Sequence, residues 1–187
     1  AVVAADTESL SGITDSAMRR HGIPIFTSRS ERITSSPSVR LIISLLRIVG
    51  RWRGEDVISV VKTGLSSLSN DLACAFENYT DTWNIRGHAM FTSPWSMNPD
   101  GYSESLSRRA RQTLVNANEA REIIIPPIER FCTVFEGGRA PIRKICEALV
   151  EYFAETGAYR AMTERAKTLS PDDSAREMLV WSEICTA

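Results

Sequence analysis

The hexapeptide SVVKTG, Ser59–Gly64, decides how this chain is read. It spells both S-x-x-K and K-T-G, two signatures with which serine–lysine hydrolases arm a nucleophile. On a helix, Ser59 and Lys62 would lie on neighbouring turns and within hydrogen-bonding reach. Those enzymes, however, take the two motifs from separate elements: a helix carries the nucleophile and a facing strand carries the second lysine. One lysine cannot serve as both, and the chain has no S-D-N motif. A helix that ends in a cation followed by a C-cap glycine accounts for the same letters. SVVKTG is therefore a helix end, and the fold around it is helical.

Working outward, the helix that SVVKTG closes spans about 55–63. It opens on Glu55 and Asp56, carboxylates that favour the positive end of a helix dipole. Upstream, Ser36-Pro37 reads as an N-cap with proline at the first helical position. Apolar residues at 39, 41, 42, 43, 45, 46, 48 and 49 then cover most of that helix. Its one polar stripe is Arg40, Ser44, Arg47 and Arg51, so it should be buried on most sides. Downstream, a helix runs from about Ser69 to Trp83, and TSPWSMNPDG (92–101) is a loop dense in Pro, Asn and Gly. A long helix starts near Ser103, which Pro126-Pro127 should kink or restart. Three further helices fit about 140–156, 158–169 and 171–186, the last opened by Ser170-Pro171.

The N-terminus differs. AVVAA (1–5) suits a buried parallel strand, about 7–20 has helical spacing, and IPIFT (23–27) suits a second strand. Gly22 follows the basic last turn Arg19-Arg20-His21, where a C-cap glycine belongs. The expected fold class is mainly α: a multi-helical domain over 29–187 with a small strand-helix-strand element over 1–28.

Composition narrows the function classes. The 187 residues are 43% hydrophobic and 24% charged, enough for a real core. A net charge of -1 gives no global basic field, so any nucleic-acid contact must come from a local patch. The four cysteines, Cys74, Cys132, Cys146 and Cys185, form no C-x-x-C pair and read as reduced core thiols. No metal-ligand spacing is present. LIISLL is far shorter than the roughly 20 residues of a membrane span. The first residues lack a signal peptide's basic and apolar regions. The chain accordingly reads as cytoplasmic. Phosphate-loop, dinucleotide, zinc-protease and nucleophile-elbow motifs are absent, and no catalytic or metal residue is expected. His21 and His88 read as solvated, one near a helix end and the other in a loop. Arg40, Arg47 and Arg51, extended by Arg53, are the candidate phosphate contacts, set against the reading of a solvated face. Arg108, Arg109 and Arg111 form a denser basic cluster, also read as a solvated face. Trp52 and Trp95 are expected to pack rather than to stack on bases.

Read at greater length, KTGLSSLSNDLACAFENYTDTWNIRG (62–87) resembles a segment of the AddB family (RexB in some bacteria). The matching features, in order, are Gly22-Ile23-Pro24, Pro37 with LIISLLRIV, Trp52, Glu55-Asp56-Val57 and Lys62-Thr63-Gly64. They continue through Glu77-Asn78-Tyr79, Ile85-Arg86-Gly87, REIIIPPIERF (121–131) and ICEALVEYF (145–153). The set spans about 1–185 and is specific as a series, though each tripeptide alone means little. The opening AVVAA and Gly22-Ile23-Pro24 also resemble part of the second motor domain of superfamily 1 helicases. Ala5-Asp6 stands where active motors have a nucleotide-contacting arginine.

This resemblance implies a piece of the B subunit of an ATP-dependent helicase/deoxyribonuclease that processes double-strand DNA breaks. The piece would hold the edge of a degenerate motor domain and most of its helical accessory domain. ATP, Mg and an iron–sulfur cluster would belong to the parent protein, with no cofactor in this chain. An AddA-like motor subunit would be the partner, DNA would be met through the parent complex, and no catalytic residue of the family carries over. A stand-alone helical interaction module that never meets DNA is the alternative.

Overall fold

Residues 10, 12–24, 33–102 and 105–186 are described by a computed structural model. The chain divides into two compact units, Ala1–Arg32 and Ile33–Ala187. In the first, α1 (Ile13–Arg20) carries Arg19 and Arg20 in its last turn. Gly22, at φ 65°, closes it in the left-handed conformation. The Ile23 N–H then bonds back to the Met18 carbonyl at 2.9 Å, the hydrogen bond of a Schellman ending. That bond corrects part of the second predicted strand. Ile23 has spent its donor on the helix, Pro24 has none, and neither is in a strand. The expected strand at 1–5 and residues 25–27 of the second lie outside the described residues. Among the described residues there is no strand, and the class is mainly α.

The second unit is a helical array. A single 3-10 turn (Ile33–Ser35) leads into α2 (Pro37–Ile48), α3 (Gly54–Lys62), α4 (Asn70–Thr82) and the short α5 (His88–Thr92). Then come α6 (Arg108–Thr133), α7 (Ile142–Thr156), α8 (Ala158–Ala166) and α9 (Pro171–Thr186). Side-chain caps fix several starts: Ser69 accepts the Leu72 N–H, and Ser107 accepts the Ala110 N–H. Ser107 thus moves the start of the long helix from the expected Ser103 to Arg108. Ser170 accepts the Asp173 N–H at α9, whose first turn carries Asp172 and Asp173.

The long helix corrects half of a second expectation, since it does not restart at the prolines. Pro126 and Pro127 lie inside α6, which continues to Thr133. Each proline deprives the carbonyl four residues earlier of its donor. Those carbonyls belong to Glu122 and Ile123, both solvent-exposed, so water replaces the missing bonds. The other face of the same turns is buried: Ile124, Ile125, Pro127, Ile128 and Phe131. Packing of that face outweighs the local cost of about 3 kcal/mol per proline.

The core sits where α4 lies along α6, the most extensive helix contact in the molecule. Ala117 and Ala120 keep the α6 surface low, and Phe76 and Tyr79 of α4 fill the space. Trp95, from the loop after α5, stacks on Tyr79 with ring centroids 4.6 Å apart and planes 9° apart. Phe91 of α5 and Trp52 complete the cluster. Both Trp52 and Trp95 are buried, in keeping with their packing role. Cysteines depart from expectation: Cys74, Cys146 and Cys185 are exposed thiols and only Cys132 is half-buried.

Candidate nucleic-acid interface

Ser59 and Lys62 each bond elsewhere. The Ser59 hydroxyl donates to the Glu55 carbonyl at 2.7 Å, the usual back-bond of a helical serine. Lys62 pairs instead with Glu77 at 2.5 Å. Its hydrogen bond and ion pair with that carboxylate raise the ammonium above its ordinary pKa. A lysine held protonated cannot act as a base. Thr63 and Gly64 (φ 69°) then end α3 as the sequence predicts.

The same bond explains why K-T-G and E-N-Y occur in one series. Lys62 ends α3, Glu77 lies mid-way along α4, and their pairing joins two helices that also pack through Val61, Phe76 and Tyr79. I-R-G and Trp52 meet in a similar way: the Gly87 N–H donates to the Trp52 carbonyl at 2.8 Å. The quoted tripeptides thus mark joints of the scaffold rather than a reaction centre.

The structure separates the three candidate arginines. Because α2 ends at Ile48, Arg51 lies in the turn beyond it, and no continuous stripe exists. Ser44 is buried within α2, leaving Arg40 and Arg47 on its exposed side. None of the Arg40, Arg47 and Arg51 guanidiniums has an ion-pair or hydrogen-bond partner among the described residues.

Arg51 joins a cleft instead. A depression of about 560 Å³ is lined by Arg51, Arg53, Gly54, Thr80, Asn84 and Arg86, together with Glu55 and Asp81. Arg53 lies 3.4 Å from Glu55, and the Arg86 Nε donates to the Asn84 Oδ1 at 2.7 Å. Gly54 is required by close approach: a Cβ there would stand 2.8 Å from the Ile85 carbonyl oxygen. In sequence, Arg53 reads only as an extension of the α2 stripe, and nothing marks Asn84 and Arg86 as neighbours of Arg51. The bond between Gly87 and Trp52 brings the two segments together, and no local pattern announces it.

A second depression, of about 610 Å³, holds Trp52, His88, Glu129, Cys132, Phe135 and Glu136. His88 opens α5 instead of lying in a loop, and its Nε2 is 2.6 Å from the Glu129 carboxylate. The Cys132 thiol is pushed up to about 11 by burial and by Glu129. A thiol held so firmly protonated is a poor nucleophile. Arg108, Arg109 and Arg111 are exposed at the start of α6. Among the described residues no three His, Cys, Asp or Glu side chains are grouped to hold a metal ion. No helix there is long and apolar enough to cross a membrane.

The fold and its surface define a helical, arginine-edged domain. Comparison with known proteins then gives the relationship. The chain is 29% identical over 160 residues to the B subunit of the ATP-dependent helicase/deoxyribonuclease of Acetivibrio thermocellus, a match covering 84% of this chain and 14% of the relative. With the protein of the same name from Clostridium novyi it shares 27% identity over 158 residues, 84% of this chain and 13% of the relative. With that from Ruminiclostridium cellulolyticum it shares 30% over 159 residues, 80% and 13%. No protein-family model matches the chain. These matches support an AddB/RexB-like relationship over most of the chain. The chain spans about 14% of the length of the Acetivibrio relative.

Proposed function

We propose that this chain is a non-catalytic helical domain of an AddB-like helicase/deoxyribonuclease protein, acting in the cytoplasm in DNA double-strand break repair and recombination. It guides DNA electrostatically and packs against an AddA-like partner subunit. ATP hydrolysis and nuclease chemistry, with Mg and the iron–sulfur cluster, belong to the rest of the parent protein. The observation that carries this reading is the set of exposed guanidiniums without intramolecular partners among the described residues, those of Arg40, Arg47 and Arg51, in a chain similar to helicase/deoxyribonuclease B subunits. A guanidinium that satisfies no carboxylate of its own chain remains available to phosphate oxygens.

Salt titration tests it. Each phosphate contact adds roughly 0.9 to the slope of log affinity against log salt on duplex DNA. Replacing Arg40, Arg47 and Arg51 together by Ala should therefore flatten that slope by about 2–3. An unchanged slope removes these arginines from the interface. The alternative, an interaction module that never meets DNA, draws support from the exposed Ile142, Val150 and Leu179 on α7 and α9. Failure of the chain to retard forked DNA at low salt would favour it.

A further inference from the structure

We infer that the cleft between the Arg51–Arg53 turn and the Asn84–Arg86 turn is a phosphate site that seats one phosphodiester of a nucleic-acid strand. This deepens the DNA-guiding reading and rests on it. Four observations meet there.

First, three guanidiniums, Arg51, Arg53 and Arg86, face one concavity in a chain whose net charge is -1. Two carboxylates, Glu55 and Asp81, line it too, so the arginines outnumber the acids by one. Arg53 is partly neutralised by Glu55, whereas the Arg51 guanidinium has no partner among the described residues. Second, the floor is the N-terminus of α3, a helix of 9 residues that no side chain caps. The Asp56 N–H bonds back to the Arg53 carbonyl, which leaves the Gly54 and Glu55 amides at the end of the helix where anions are favoured. Third, Thr80 lines the cleft at 2% exposure, and its hydroxyl has no hydrogen-bond partner. A buried hydroxyl left unpaired costs about 1–3 kcal/mol, which a bound acceptor would relieve. Fourth, Trp52 (φ 46°) and Asn84 (φ 48°) are the two non-glycine residues with positive φ among those described. Each is adjacent in sequence to arginines or turns of the cleft. Such conformations cost about 1–3 kcal/mol and persist where the surroundings impose them. Here the Gly87–Trp52 backbone bond holds both turns at once.

A phosphodiester suits this arrangement because it offers two unesterified oxygens. Arg51 and Arg86 can each take one, the Gly54 and Glu55 amides supply uncharged donors, and the Thr80 hydroxyl becomes one on a rotation about χ1. A free phosphate shares this chemistry, so the experiment separates the two.

The 187-residue chain, labelled with 15N, is titrated at low salt with a 12-nucleotide oligothymidylate and, separately, with inorganic phosphate. The inference expects amide shifts centred on Gly54, Glu55 and Arg86 with the oligonucleotide. Inorganic phosphate at the same phosphate concentration should give little. The double variant Arg51→Ala/Arg86→Ala should weaken oligonucleotide binding by about tenfold or more. Arg40→Ala/Arg47→Ala, which removes contacts outside the cleft, should weaken binding while the shifts at saturation stay centred on Gly54, and Arg86→Lys should recover part of the loss. All four replaced side chains are solvent-exposed, and an unchanged spectrum elsewhere confirms the fold. Binding with shifts away from the cleft overturns this inference and leaves the DNA-guiding reading standing. Equal shifts with inorganic phosphate overturn the nucleic-acid assignment of the cleft. No oligonucleotide binding by the parent chain overturns both.

Discussion

Two parts of the second unit bury aromatic side chains in different ways. Around α4, α5 and α6, the large rings are locked by polar tethers. The Tyr79 hydroxyl accepts the Met97 N–H at 2.9 Å, and the Trp95 indole N–H reaches the Met90 carbonyl at 2.9 Å. Asn118 of α6 then clamps the Trp95 backbone on both sides, accepting its N–H and donating to its carbonyl, each at 2.9 Å. In the α7–α9 arm, Phe153 and Tyr159 each meet Trp181, with ring centroids 5.0 and 5.9 Å away. Nearby apolar side chains remain open to solvent: Ile142 74%, Val150 64% and Leu179 61%. The arm joins the rest by packing of α7 against α6 and by discrete polar bonds. Ser36 bonds to Glu177, Ser67 to the Thr156 carbonyl, and Arg130 forms a two-pronged pair with Glu155. Area alone does not distinguish the two regions; simultaneous burial and polar satisfaction does.

The comparison breaks most directly with a pair of truncations. Trp95→Ala removes a ring packed on Phe76, Tyr79 and Phe91 and should cost toward 5 kcal/mol in urea unfolding. Trp181→Ala should cost about 3 kcal/mol or less, because the arm can collapse onto a smaller cluster. Hydrogen exchange should then show α9 opening while α4 and α6 stay protected. Equal costs, or the reverse order, would mean that the arm is as tightly built as the centre.

A middle-sized effect is expected at Arg121. This guanidinium is buried on α6 and donates to the Thr92 carbonyl, to Asn118 and to Glu122. Arg121→Leu should lower stability by about 2–3 kcal/mol, since it leaves the Thr92 carbonyl and the Asn118 oxygen short of a donor. Thermal unfolding of Arg121→Leu beside Arg121→Lys checks it. A neutral outcome would show that packing alone holds the centre.

The smallest effect needs no mutation. Cys74, Cys146 and Cys185 are exposed and should react with iodoacetamide at pH 8 well ahead of Cys132. The Cys132 thiol, held up to about 11, carries little thiolate there and should accelerate only as pH rises toward that value. Comparable rates for all four at pH 8 would mean that the end of α6 opens freely.

Much of this is legible in the residues. Ser36-Pro37, Ser69, the Lys62-Thr63-Gly64 ending and Ser170-Pro171 mark helix ends by short-range chemistry, and the structure places boundaries within a residue or two of them. Ser59 is readable as a helical serine for the same reason. Less legible are features that depend on what surrounds a segment. Pro126-Pro127 reads as a break in isolation, yet a buried apolar face on one side and water on the other carry α6 through it. Ser44 counts as polar in a periodic stripe but is buried in α2, and Arg51 counts as the last member of that stripe but lies beyond the helix. His88 reads as a loop residue because its partner, Glu129, is 41 residues away.

The sequence by itself determined the helical class, the order of the helices and most of their ends, because periodicity, caps and breakers act over a few residues. Only the tertiary structure decided which charges share a space. Lys62 with Glu77, Asn118 with Trp95, and Arg51 with Arg86 meet through packing of α3, α4 and α6 and through the bond between Gly87 and Trp52. Those meetings depend on how whole faces bury against each other, which no stretch of the chain encodes alone.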